Sequence, residues 1–148
     1  MVELAVALVL IALNGLFSLS ELAIVSARRV RLKVYADAGR VGARTALALS
    51  EDPGRFLSTV QIGITLIGIL AGAYSGASLG GPVGERLQAI FALDDESALT
   101  AGFAVVIAVT TYFSLIAGEL VPKQFALRAP EPIAIFMTGQ QTCIIRIN

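Results

Sequence analysis

Residues 56–80 read FLSTVQIGITLIGILAGAYSGASLG. They lie inside a longer interval, 56–84, that contains no Asp, Glu, Lys or Arg. Two more intervals, 4–20 and 97–118, are equally free of charge. A bilayer core about 30 Å thick takes about 20 apolar residues in a helix. The second and third intervals meet that length outright, and the first meets it if Glu21 is tolerated inside it. The pattern predicts an all-α integral membrane fold with spans near 4–27, 56–80 and 98–120. Helices buried in a soluble core are also apolar all round, but they are usually shorter. Met1-Val2-Glu3 lacks the positive start of a signal peptide, so the first span is expected to be retained.

Composition agrees. The 148 residues are 56% hydrophobic and 15% charged, where soluble domains average about 25%. Mean hydropathy is +0.81 and formal net charge is zero. Disorder and a basic nucleic-acid partner are excluded. One cysteine, Cys143, excludes a disulfide scaffold, and the absence of histidine removes His catalysis and His ligation. No nucleophile–base pair is readable, so an enzyme is not expected.

The charges that are present set the topology. Seven Lys and Arg fall in residues 28–55 and one, Arg86, in 85–98. Basic loops stay cytoplasmic. The reading is a cell-membrane protein with its N-terminus outside and its C-terminus inside. Residues 28–50 read as cytoplasmic juxtamembrane helix, broken near Gly39 and Gly42. Asp52 is placed to cap the next helix, with Pro53 at its first position. Gly80-Gly81-Pro82 should end that helix, leaving 83–93 as a short external one. Asp94 to Ser97 begin the third span, and Pro122, Pro130 and Pro132 should break up the chain beyond it.

Polar residues inside the spans carry the functional signal, because a charge at mid-bilayer costs about 2.5–3.5 kcal/mol and usually faces a partner or a pathway. Asn14, Ser18 and Glu21 share one face of the first span, and Ser20 points elsewhere. Ser58, Thr59, Gln61 and Thr65 open the second. Thr110, Thr111, Ser114 and Gly118-Glu119 mark the third. Hydroxyl, carboxylate and glycine-exposed carbonyl oxygens suit a hard cation. Glu119 reads either as such a ligand or as a pair with Lys123; Glu21 reads as a ligand or as a side chain reaching the interface. Gly68, Gly72, Gly76 and Gly80, four apart, form a stripe that admits a neighbouring helix.

Three motifs carry a resemblance. Asn14-Gly15-Leu16-Phe17-Ser18-Leu19-Ser20-Glu21-Leu22-Ala23, Gln61-Ile62-Gly63-Ile64-Thr65-Leu66 and Gly118-Glu119-Leu120-Val121-Pro122-Lys123 resemble, in order and spacing, the three membrane helices of the cyclin M / CorC family, whose bacterial members are termed hemolysin-like. The resemblance runs over roughly residues 3–135. It implies a homodimer in the lipid bilayer that exports Mg²⁺, with Na⁺ entry as the coupled flow. Ser18 and Glu119 stand at the family's ion site. Second-helix asparagines complete that site in relatives, but Ile64 and Gly68 stand here instead, so backbone oxygen at Gly63 or Gly68, the Thr65 hydroxyl or water would substitute. That departure opens a different cargo, another metal ion or an organic polycation. The family also carries cytoplasmic CBS domains that bind adenine nucleotides. Residues 1–136 read as the transmembrane domain alone, with no nucleotide site, and 137–148 read as a tail unlike the family. A non-transporting anchor or inactive fragment is the third reading.

Overall fold

A computed structural model describes residues 2–145, and the side chains of residues 2–139. The described chain is helical. Helix α1 is Val2–Ser26, α2 Arg29–Asp37, α3 Ala43–Glu51, α4 Pro53–Phe91 and α5 Asp95–Leu115. A π-turn, Ile116–Leu120, joins α5 to α6, Val121–Arg128, and α7 is Pro130–Ile145. Three stretches are long and apolar enough to cross a membrane: Val2–Ser26, Pro53–Phe91 and Asp95–Arg128.

The second of these differs from the expectation. The helix does not end at Gly80-Gly81-Pro82, and 83–93 is not a separate element; α4 runs through Pro82 as one helix of 39 residues. Packing on α5 overrides the local break. A Cβ at Gly80 would lie 3.1 Å from the Phe103 backbone, and one at Gly84 would lie 2.7 Å from the Ala98 carbonyl oxygen. The seam with α5 therefore grips α4 on both sides of the proline. Gly102 closes the same seam from α5, with Gly80 and Gly84 where its Cβ would stand. At 1.5 Å per residue α4 is about 58 Å long, more than the roughly 40–45 Å of a bilayer with its headgroups. Its last turns carry Glu85 and Arg86, just past the charge-free interval 56–84.

The third stretch is also longer than expected. Pro122 does not break it, because the π-turn precedes the proline. Val121 N–H donates to Ile116 O, five residues back. The helix stops only at Ala129, whose φ and ψ are −146° and 65°.

The other boundaries have simple causes. Gly39 and Gly42 take positive φ, +75° and +86°, and turn the chain between α2 and α3. Asp52 stands at the N-cap of α4 with Pro53 in the first turn, but its side chain makes no capping bond. Asp94 does cap α5: its carboxylate accepts from Ser97 N at 3.1 Å. The Ser97 hydroxyl and amide hold the Asp94 carboxyl below the usual range.

The compact core lies at the expected cytoplasmic end. Ala23, Ile24, Leu32, Ala36, Ala46, Ala126 and Ala134 meet there, from α1, α2, α3, α6 and α7. Glu131, almost wholly buried, ties α7 to the α1–α2 bend: its Oε1 accepts from Arg28 N at 3.5 Å and lies 3.9 Å from Arg31 Nη1. The helix α7 continues through the stretch expected to depart from the family. The Thr138 hydroxyl lies 2.7 Å from Ala134 O of its own helix and 2.9 Å from Gly42 O, so α7 packs against the turn between α2 and α3 there. Residues 146–148 and the Cys143 side chain, also in that stretch, lie outside the described residues.

Candidate functional site

The first and third motifs meet. Asn14-Gly15 of α1 crosses the π-turn at Gly118. A Cβ on Gly118 would stand 3.2 Å from both Asn14 Nδ2 and Ile11 O. A Cβ on Gly15 would stand 3.2 Å from Pro122 Cγ and 3.7 Å from Ala117 O. Two glycines thus let the backbones touch where one helix is irregular. A π-turn lengthens the local hydrogen-bond ring, and such turns recur at functional sites. Pro122 has no N–H, so it can donate to neither Ala117 O nor Gly118 O.

Around this crossing the buried oxygens lack partners. Asn14 is 4% exposed and Ser18 is fully buried; neither Asn14 Oδ1 nor Ser18 Oγ makes a hydrogen bond. Glu21, half-buried on the same face, leaves Oε2 buried and unpartnered. Each such atom costs about 1–3 kcal/mol. Ser20 is different: its hydroxyl donates to Phe17 O at 2.8 Å.

Glu119 has a partner. Lys123 Nζ donates to its Oε1 at 2.6 Å, and each side chain is 31% exposed. Ser18 and Glu119, placed together by the family motif, share no hydrogen bond, since the serine hydroxyl has none.

The second-helix residues expected at the site have different surroundings. Gly63 is covered by the Phe17 ring, with a Cβ position 3.3 Å from Phe17 Cε1. Thr65 is exposed and donates to Gln61 O at 2.9 Å. Gly68 has open space around it. Along the glycine stripe, Gly68 and Gly72 meet nothing within 4 Å, whereas Gly76 and Gly80 lie against Phe103. The seam is continued outward by Gly84, which the four-residue stripe did not include.

One buried polar residue was missed. Ser75 is 1% exposed and its Oγ has no partner. It lines a cavity of about 620 Å³ between α1, α4 and α5, which Ile11 and Ala117 border near the crossing and Leu4 and Arg86 border further out. A hydroxyl beside the glycine stripe was the available signal. Among the described residues no three His, Cys, Asp or Glu side chains gather as a metal cluster.

Residues 5–147 match the cyclin M transmembrane N-terminal domain. The chain belongs to that family. The matched range takes in most of residues 137–148. Among cyclin M relatives, the UPF0053 protein sll0260 of Synechocystis is 49% identical over 132 residues, which are 89% of this chain and 29% of that protein. The polyamine export protein of Escherichia coli K12 is 32% identical over 133 residues, 90% of this chain and 29% of that protein. The UPF0053 protein YhdT of Bacillus subtilis is 36% identical over 135 residues, 88% and 28%. The chain therefore spans less than a third of the length of these cyclin M relatives.

Proposed function

We propose that this chain is the membrane-spanning part of a cation exporter, with its cargo site at the crossing of α1 and the π-turn. The unpartnered oxygens on α1 carry the reading. Asn14 Oδ1, Ser18 Oγ and Glu21 Oε2 lie along one face inside a helix bundle. Unpaired acceptors are costly where no water competes. A partly dehydrated cation would satisfy them. The path runs from the cytoplasm past Glu21 and Ser18 to Asn14, with Glu119 supplying the neutralising charge. All these donors are oxygen, the set a hard cation prefers, so the first cargo is Mg²⁺ as transported substrate, with Na⁺ as the return ion. No enzymatic step is involved. The basic 28–55 loop is cytoplasmic and the N-terminus faces out.

Two copies would pair through exposed apolar faces such as that of α4 formed by Ile62, Leu66, Ile69 and Leu70. Cytoplasmic CBS domains would make up the rest of the full-length protein.

A second reading, an organic polycation, has its own observation: Glu119 already holds a primary ammonium at 2.6 Å. Relatives named polyamine export protein agree with it. Flux into vesicles tests both. Wild-type protein should move Mg²⁺ or a linear aliphatic polyamine, and Glu119→Ala should abolish that flux without loss of membrane insertion. An unchanged rate in Glu119→Ala would remove the site assignment; no flux of either would leave a non-transporting anchor.

A further inference from the structure

We propose that Lys123 is a tethered occupant of the cargo site: its ammonium neutralises Glu119 when no cargo is bound, and cargo must displace it. This rests on the reading of Glu119 as the cargo carboxylate. Four observations support it. The contact is short, 2.6 Å from Nζ to Oε1. Both side chains are about two-thirds shielded, at 31% exposure each, so the pair is stronger and a bare carboxylate costlier than at an open surface. Glu119 belongs to the π-turn and Lys123 to α6, so the bond ties the irregular segment to the regular one. Glu21, the other acid on the path, makes no ion pair with any described residue and leaves an oxygen unpartnered, so the pairing is particular to Glu119.

Lysine suits the role. It is a point charge on a flexible four-carbon stem, able to leave the carboxylate and reach the headgroups while the stem stays in apolar surroundings. Its helix ends on the cytoplasmic core, where Ala126 is fully buried. When a cation arrives, the ammonium swings toward the interface and the cation takes its place. When the ammonium returns, it expels the cation. The carboxylate is then neutralised in both states, and the empty carrier does not carry a bare charge through the bilayer. The competition weakens apparent affinity and speeds release.

The test is calorimetric titration of the purified chain with MgCl₂, and separately with butane-1,4-diamine, at fixed ionic strength. Lys123→Gln should bind one of these probes roughly tenfold more tightly than wild type. Its maximal flux should fall, because release is slowed. Lys123→Arg, which keeps a cation on the carboxylate, should bind close to wild type. Should Lys123→Gln unfold, Lys123→Met retains the stem for the same titration, and thermal unfolding in the same detergent checks its fold. If wild type binds a probe in a Glu119-dependent manner and removing the ammonium leaves affinity unchanged, the tethered-occupant proposal is wrong while the cargo site stands. If wild type shows no Glu119-dependent binding of either probe, both fall together.

Discussion

Two sets of hydroxyls occupy these membrane helices, and they are treated in opposite ways. Ser58 donates to Gly54 O at 3.0 Å, Thr59 to Arg55 O at 2.9 Å and Thr65 to Gln61 O at 2.9 Å. All three are exposed on α4, and each returns its hydrogen to its own helix one turn back. Ser18 and Ser75 are buried at 0% and 1% exposure and do not do so. The same chemistry exists for any helical serine whose rotamer lets it reach a carbonyl three or four residues earlier. These three exposed hydroxyls are self-sufficient, an arrangement that suits a surface where no water can help. Of the buried hydroxyls on these helices, Ser18 and Ser75 each hold an enclosed oxygen without a partner. That difference marks the inside of the bundle as a place that receives polar groups from elsewhere.

Gly118→Ala should have the largest effect on that enclosed region. The new Cβ would stand 3.2 Å from Asn14 Nδ2 and Ile11 O. One of those neighbours is backbone and cannot rotate away, so α1 must back off the π-turn. We expect a loss of about 1–3 kcal/mol of stability, as for other overpacked contacts, together with most of the flux. Unfolding in detergent and vesicle flux check it. A variant as stable and active as wild type would mean that the close crossing is not required.

Ser18→Ala comes next, and its two readouts should move apart. Removing an unsatisfied buried hydroxyl relieves its desolvation penalty, so stability should rise by about 1 kcal/mol. If the oxygen contacts cargo, flux should fall at least tenfold. A variant that is less stable would show that Ser18 has a partner after all. Ser75→Ala should give a similar gain in stability with a smaller loss of flux, because Ser75 lines the cavity at some distance from the crossing. Equal losses of flux would place Ser75 in the cargo site itself.

Much of this was legible in the sequence, for physical reasons that also mark where legibility stopped. Charge-free intervals locate spans because lipid excludes charge; the expected spans 56–80 and 98–120 lie within the long apolar helical stretches, and 4–27 overruns its helix by one residue. Helix ends were less legible. Gly80-Gly81-Pro82 and Pro122 look like stops by local propensity. Contacts with Phe103 and Ala98 hold α4 through the first, and a π-turn accommodates the second. Asn14, Ser18 and Glu21 were readable as one face because helical spacing fixes faces. Their lack of partners was not, because partners are a tertiary property. Ser75 was overshadowed by the glycines around it, and the sequence did not show that Thr65 gives its hydroxyl hydrogen to Gln61 O. A sequence shows that a hydroxyl is inside a span, but not whether its own helix has already claimed it.

Thr65→Val therefore gives the smallest effect and the cleanest check on the comparison. Valine keeps the branched shape and removes the hydroxyl. In wild type the hydroxyl is exposed and bonded to Gln61 O, a carbonyl that also lies within an intact helical ladder. Nothing buried loses a partner, so stability should stay within about 0.5 kcal/mol of wild type, as for other surface changes. Flux should be unchanged. A large loss of flux would mean that Thr65 turns inward during transport, or that a second copy brings a polar face against it. In either case self-sufficiency in one protomer would not identify an idle hydroxyl. Stability and flux measured side by side for Thr65→Val and Ser18→Ala decide whether the division between claimed and unclaimed hydroxyls is a division of function.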